Sequence, residues 1–253
     1  MNFSGRTALI TGASRGIGHA TAQAFATAGA RVAVHYNQQQ QTAQTVKESL
    51  EGAGHIIVQA NIVDPESVST MVSTVIDRLG KIDILINNAG IFEHHPLAEI
   101  SYAEWQTAWE KIIGLNLIGA ANVTYCVARH MMERGAGGRI INVSSRGAFR
   151  GEPLATAYGA SKAGLNAFGQ SLAQHLAAFN IFVSTVAPGF VETDMAQDIL
   201  DSPAGDAIRQ QSPLNRVARP EEIAYTILFL ASDSAEFLTG GIVDINGASY
   251  LRS

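Results

Sequence analysis

The chain has 253 residues, 47% hydrophobic and 15% charged, with a formal net charge of −5, a composition that supplies a sizeable core and excludes a disordered chain. Its slight acidic excess is spread out, with no basic run or basic helix, which argues against nucleic acid or an anionic membrane as a partner. The lone Cys126 excludes an internal disulfide framework, and no apolar segment runs uninterrupted for the roughly 18 to 20 residues of a membrane span.

The opening Met-Asn-Phe-Ser-Gly-Arg does not read as a signal peptide, so the expected location is cytoplasmic. From there, short β-branched runs alternate with longer helical patterns along the whole chain. The predicted strands are Thr7–Thr11, Arg31–Tyr36, His55–Ala60, Ile82–Asn87, Arg139–Ser144, Ile181–Ala187 and Ile242–Ile245. Apolar residues at spacings of three and four follow the strands, as with Thr21, Phe25 and Ala28, or Val68, Val72, Val75 and Leu79. Strands with almost no charge suit a parallel sheet covered on both faces. The fold class expected is α/β, a single-domain, doubly wound, Rossmann-type parallel sheet of seven strands with helices on both faces, spanning residues 1–253. Residues 191–219 break the rhythm and read either as a lid over a binding site or as a solvated pair of short helices.

The first strand runs into Gly12-Ala13-Ser14-Arg15-Gly16-Ile17-Gly18 and then a helix. Glycines let the backbone turn sharply and let a pyrophosphate approach the free amides at a helix N-terminus. Taken alone the pattern is equally compatible with glycines that only let a helix pack on a strand. Other signals fall at strand ends, where open α/β sheets bind ligands: Asn87-Asn88-Ala89-Gly90 after the fourth strand, Tyr158-Gly-Ala-Ser-Lys162 after the fifth, and Pro188-Gly189-Phe-Val191-Glu-Thr193 after the sixth.

In order and separation these motifs resemble the short-chain dehydrogenase/reductase family over essentially the whole chain. The resemblance is closest to the 3-oxoacyl-[acyl-carrier-protein] reductases of fatty acid synthesis, through TGASRGIG, GRIIN, YGASKAG and APGFVETDM.

Tyr158 and Lys162 lie four apart on a helix and share a face. A free phenol has a pKa of about 10, and a neighbouring ammonium is expected to lower it toward useful proton exchange. Among the six tyrosines only Tyr158 has lysine at that spacing. Ser145 is expected to hold the substrate oxygen, with Ser144 the alternative on the other face of the strand. The resemblance implies that Lys162 also binds the nicotinamide ribose, and that Asn116, an otherwise costly buried amide, supports a water link from the lysine.

For the dinucleotide, the resemblance implies contacts from Gly12, Ser14, Arg15, Gly16, Ile17 and Gly18, from Asn61 and Ile62, and from Asn88, Ala89 and Gly90. Pro188, Gly189, Val191 and Thr193 are expected at the nicotinamide, although Thr193 also reads as a helix N-cap. The second strand ends Val34-His35-Tyr36-Asn37, with no acid to repel a 2′-phosphate. Arg15 offers a guanidinium, and Tyr36 and Asn37 flank the same place, so the expected cofactor is NADP(H).

The substrate implied is a ketone, either a 3-oxoacyl thioester or, as the alternative, a sugar, steroid or other small ketone; a nucleotide-binding regulator without chemistry is a third reading. Arg134 is a candidate dock for an acidic acyl carrier protein, while Gln174 stands where carrier-dependent relatives can have arginine. His94 and His95 read as a polar loop and not as metal ligands, since no third ligand follows at useful spacing, and either of them or Glu152 is a candidate substrate contact. A homotetramer is expected from the apolar helices around Trp105–Met132 and Leu154–Phe179.

Overall fold

The computed structural model describes residues 1–252. Its strands are β1 (Thr7–Ile10), β2 (Arg31–Tyr36), β3 (Ile56–Gln59), β4 (Ile84–Asn87), β5 (Gly138–Val143), β6 (Ile181–Pro188) and β7 (Ile242–Ile245). All pair in parallel, in the order β3-β2-β1-β4-β5-β6-β7. The chain reverses direction across the sheet between β1 and β4, and that switch point opens a crevice at the carboxyl ends of the strands.

The central strands β1, β4 and β5 are buried on both faces while the edge strand β7 is only half-buried, and the period-two alternation of side chains divides the core. Ile10, Val34, Ile86, Ile141 and Val186 face one layer. It is formed by α1 (Gly16–Thr27), α2 (Gln40–Ser49) and, further along the chain, the helix Pro220–Leu230. Leu9, Ala33, Leu85, Ile140 and Val183 face the other layer. There lie α3 (Pro65–Leu79), α5 (Ala120–Arg134), which continues the rod begun by α4 (Tyr102–Ile113), and, further along the chain, the helix Thr156–Leu176.

Local chemistry sets the helix ends. Asp64 caps α3 by accepting the Glu66 amide at 3.0 Å, with Pro65 in the first turn and Gly80 left-handed at the far end. Ser101 and Glu104 form a reciprocal capping box on α4. A π-helical turn, Gly114–Gly119, joins α4 to α5. By length and mean hydropathy the rod Tyr102–Arg134 would pass as a membrane span. Its residues Ile112, Val123, Val127 and Met131 are nevertheless fully buried inside this fold.

The remaining helices are α6 (Gly147–Arg150), α7 (Thr156–Leu176), α8 (Asp194–Leu200), α9 (Gly205–Arg209) and α10 (Pro220–Leu230). Residues 191–219 thus do contain two short helices, α8 and α9. Leu200, Ile208 and Val217 give them a small core of their own.

Candidate active site

The crevice at the switch point is a cavity of about 1580 Å³ that runs from the glycine turn to the start of α7. At one end, Gly12 has φ +63°, and a Cβ there would meet the Ala89 Cα at 2.9 Å. A Cβ on Gly18 would strike the Gly12 carbonyl oxygen at 2.4 Å and the Asn88 amide at 2.6 Å. Gly12 and Gly18 therefore serve close packing as well as the turn, and the two readings of the motif coincide. The first-turn amides of α1 have no acceptor within the helix. They open on the cavity beside Ser14, Arg15, Gly16 and Ile17, as an anionic pyrophosphate requires.

The turn is held from both sides. Asn88 donates from its side chain to the Thr11 and Gly12 carbonyls at 2.9 and 3.0 Å, while the Thr11 hydroxyl accepts from the Asn88 and Ala89 amides. The side chain of Asn88 is thus spent on the scaffold. On the other side, His35 accepts the Gly12 amide on Nδ1 at 3.0 Å and donates from Nε2 to the Ala60 carbonyl. Tyr36, Asn37, Asn61 and Ile62 line the cavity next to it, and Asn61 uses its side-chain oxygen to accept the Val63 amide.

At the other end, Ser145, Tyr158 and Lys162 line the same cavity. Ser144 is buried, with its hydroxyl donating to the Lys162 carbonyl, whereas Ser145 hydrogen-bonds the Tyr158 phenol, so of the two serines it is Ser145 that faces it. Lys162 is buried, and its ammonium donates to the Val143 carbonyl at 2.9 Å. Burial pushes its pKa down to about 8. For Tyr158, burial pushes the phenol up, hydrogen bonding to Ser145 pulls it down, and the Glu152 carboxylate raises it further. The net direction is upward. The expected lowering by the lysine is not what sets the phenol here: Nζ lies 5.8 Å from the ring centroid, and burial is the largest influence on Tyr158.

Asn116 sits in the π-helical turn. Its side chain donates to the Ile91 carbonyl at 3.0 Å and to the Ser161 hydroxyl at 3.1 Å, and accepts the Ile91 amide at 2.8 Å. The buried amide is fully paired. It fixes the backbone after Gly90, whose Cα faces both the Asn116 oxygen and the Lys162 ammonium.

Pro188, Gly189, Val191 and Thr193 border the cavity between these two ends. Thr193 occupies the N-cap position of α8, but its hydroxyl makes no capping bond, and its methyl lies against Gly16. The adjacent histidines diverge. His94 faces the cavity, whereas His95 is buried, donating from Nδ1 to the Glu93 carbonyl and accepting the Ala157 amide on Nε2 at 3.0 Å. Neither this bond nor that of His35 shows in the sequence, since each joins positions brought together only by the fold.

Arg134 does not stand free as a dock. It pairs with Asp83 at 2.6 Å and donates to the Gly137 carbonyl, which ties α5 to the sheet. Among the described residues, no three His, Cys, Asp or Glu side chains gather as metal ligands.

A family described as enoyl-(acyl carrier protein) reductase matches residues 12–247. Over 98% of both chains, the protein is 39% identical to a 3-oxoacyl-[acyl-carrier-protein] reductase of Synechocystis. It is 38% identical to one of Escherichia coli, covering 99% of this chain and 100% of that one. A short-chain type dehydrogenase/reductase of Mycobacterium marinum superposes with a TM-score of 0.90 at 31% identity, over 99% of this chain and 98% of the other.

The chain belongs to the short-chain dehydrogenase/reductase family. As a short-chain dehydrogenase/reductase it is an oxidoreductase that works with a nicotinamide dinucleotide, and the glycine turn has the backbone conformation, close packing and free amides that such a molecule needs. Residues Gly12 to Gly18, with Gly90, Lys162 and the Pro188–Thr193 segment, would hold it along the crevice.

Proposed function

We propose that this protein reduces a 3-oxoacyl thioester to the 3-hydroxyacyl product with NADPH, using Tyr158 as the proton donor. The observation that carries the reading is the joining of Ser145, Tyr158 and Lys162 to the glycine turn along one cavity. The names of the relatives support the choice of substrate.

The dinucleotide supplies the hydride when bound. Tyr158 gives its hydroxyl proton to the carbonyl oxygen as the carbon is reduced, which completes the alcohol. Ser145 donates to the same oxygen and holds it beside the phenol. The Lys162 ammonium balances the negative charge left on Tyr158, and Asn116 positions the Ile91 backbone beside both.

NADP(H) is favoured over NAD(H) because β2 ends with no carboxylate, while the exposed Arg15 borders the cavity opposite Tyr36 and Asn37. Neither the ion-paired Arg134 nor the uncharged Gln174 offers a free cation to an acidic carrier, so the reading centres on the thioester and not on docking by acyl carrier protein. The family's homotetramer is supported by exposed Tyr102, Ile118 and Tyr125 along the α4–α5 rod. A cytoplasmic setting goes with the same reading.

Tyr158→Phe tests the mechanism. It should lower kcat for a 3-oxoacyl thioester by about 10²- to 10⁴-fold while NADPH binding, followed by its fluorescence, persists. Unchanged turnover would remove Tyr158 from the chemistry. Failure on thioesters with efficient reduction of a sugar or steroid ketone would replace the substrate.

A further inference from the structure

Two arginines at the substrate end of the cavity play no part in the reading above. Arg146 follows Ser145 directly and is only 4% exposed. Its amide donates to the Pro188 carbonyl, and its guanidinium lies 5.1 Å from the Phe190 ring centroid. The side chain donates to Gln211 Oε1 at 2.5 Å and to the Ser249 hydroxyl. Arg150, one turn further on and exposed, donates to the same Gln211 oxygen at 3.4 Å.

Burying a charge without a counter-charge is costly. Arg139 makes the comparison within this molecule: at 6% exposure it is as buried as Arg146, and it pairs with Asp233 at 3.1 Å and Glu236 at 2.7 Å. Among the described residues, Arg146 and Arg150 have no carboxylate within ion-pair reach. A neutral donor would serve as well to tether Gln211 and Ser249. Two guanidinium groups converging on one amide oxygen instead leave a positive field at the cavity wall, and burial together with Arg150 holds the Arg146 pKa down to about 10.

Glu152 is the acidic group whose charge acts on Arg146. Its carboxylate lies against Gly147, where a Cβ would meet Oε1 at 2.6 Å, and it bonds to neither arginine. Asp194 and Asp198 also line the cavity, but only Glu152 acts on the Arg146 charge, and two guanidinium groups against that one carboxylate leave room for a monoanion. Nor does the cofactor's far end meet this need: β2, beside which Arg15 lies, is three strand spacings from β5, about 14 Å.

We infer that Arg146 and Arg150 form an anion-recognising end of the substrate cleft, and that the ketone this enzyme reduces carries a carboxylate at a distance from its carbonyl. This rests on the proposal that Ser145 and Tyr158 receive the carbonyl oxygen. Phe190 and Ile208 border the cavity beside the pair and suit the apolar chain between the two groups.

The test compares kcat/KM for the N-acetylcysteamine thioesters of 3-oxohexanoate and 3-oxoadipate, which differ in the terminal carboxylate. The wild type should prefer the carboxylate by ten- to a hundredfold, mostly through KM, as expected for hydrogen bonds to a charged group, and salt should reduce the preference. Arg150→Gln should bring the ratio of the two substrates to within threefold. Because Arg150 is exposed, this variant keeps the test independent of any folding defect in Arg146→Lys.

A wild type with no preference, or a preference that survives both variants, overturns the inference. If neither thioester is reduced, the substrate reading fails separately, and the comparison is made with ethyl 3-oxohexanoate and the monoethyl ester of 3-oxoadipate. Preference for the acid there supports the anion site, and its absence overturns it.

Discussion

His35 is the clamp of the glycine turn: its Nδ1 accepts the Gly12 amide at 3.0 Å while its Nε2 donates to the Ala60 carbonyl at 3.1 Å. That pairing needs the neutral ring, and burial lowers the His35 pKa from 6.5 to about 4. An unfolded chain binds this proton near pH 6.5, before the folded chain does. Stability should therefore be unaffected by His35 above about pH 6.5, then fall by up to about 3 kcal/mol as pH drops to about 4. His35→Asn should flatten the fall of Tm over that window and weaken NADPH binding. A Tm profile as steep in the variant as in the wild type would remove His35 as the cause.

Lys162 sets a second pH limit, on rate instead of stability. Burial lowers its pKa to about 8, so the ammonium loses its charge as pH rises through that value, whereas the Tyr158 phenol, shifted upward, keeps its proton. The alkaline limb of kcat/KM, which reports the free enzyme, should then lie near pH 8 and belong to the lysine. Lys162→Arg keeps a charge throughout the range. Its residual activity should lack this limb, and a limb that stays in place would assign it elsewhere.

How far the sequence carried these conclusions follows from what each residue depends on. The strands were legible because a parallel sheet covered on both faces needs uncharged β-branched runs. Their ends shifted by a residue or two where a neighbour claims the backbone group. β4, for example, begins at Ile84 and not at Ile82, with Asp83 turned to the Thr7 amide and Arg134. Motifs such as Tyr158 and Lys162 were legible because one helix carries both. The clamp at His35, the pairing of Arg134 with Asp83 and the uncompensated charge of Arg146 were not. Each depends on partners from 23 to more than 60 positions away, which only the fold brings together.

Arg15 gives the test of cofactor choice. It is exposed at the N-cap of α1 and lines the cavity, and its side chain hydrogen-bonds no protein group among the described residues. Arg15→Ala should leave the unfolding free energy within about 0.5 kcal/mol of the wild type, as for other surface changes. KM for NADPH should rise about ten- to a hundredfold, the usual range for a hydrogen bond to a charged group. KM for NADH should be unmoved. Equal losses with both cofactors would mean that Arg15 holds the shared pyrophosphate and not a 2′-phosphate.

His95 ties the loop after Gly90 to the helix that bears Tyr158. The Ala155 N-cap of α7 contributes no side-chain bond, and the second amide of that helix, Ala157, is instead received by His95 Nε2. The His95 amide donates in turn to the Leu154 carbonyl, and Phe92, in the same loop, packs edge-on against the Tyr158 ring at 4.9 Å. Removing a helix cap costs about 1 kcal/mol, but here the capped amide immediately precedes the proton donor. His95→Phe should therefore lower Tm modestly and reduce kcat more than it raises KM, because the phenol is displaced while the cleft persists. His95→Gln, which restores an acceptor, should recover most of the kcat. If both variants lose stability alike and neither changes the ratio of kcat to KM, His95 serves the fold alone and does not position Tyr158.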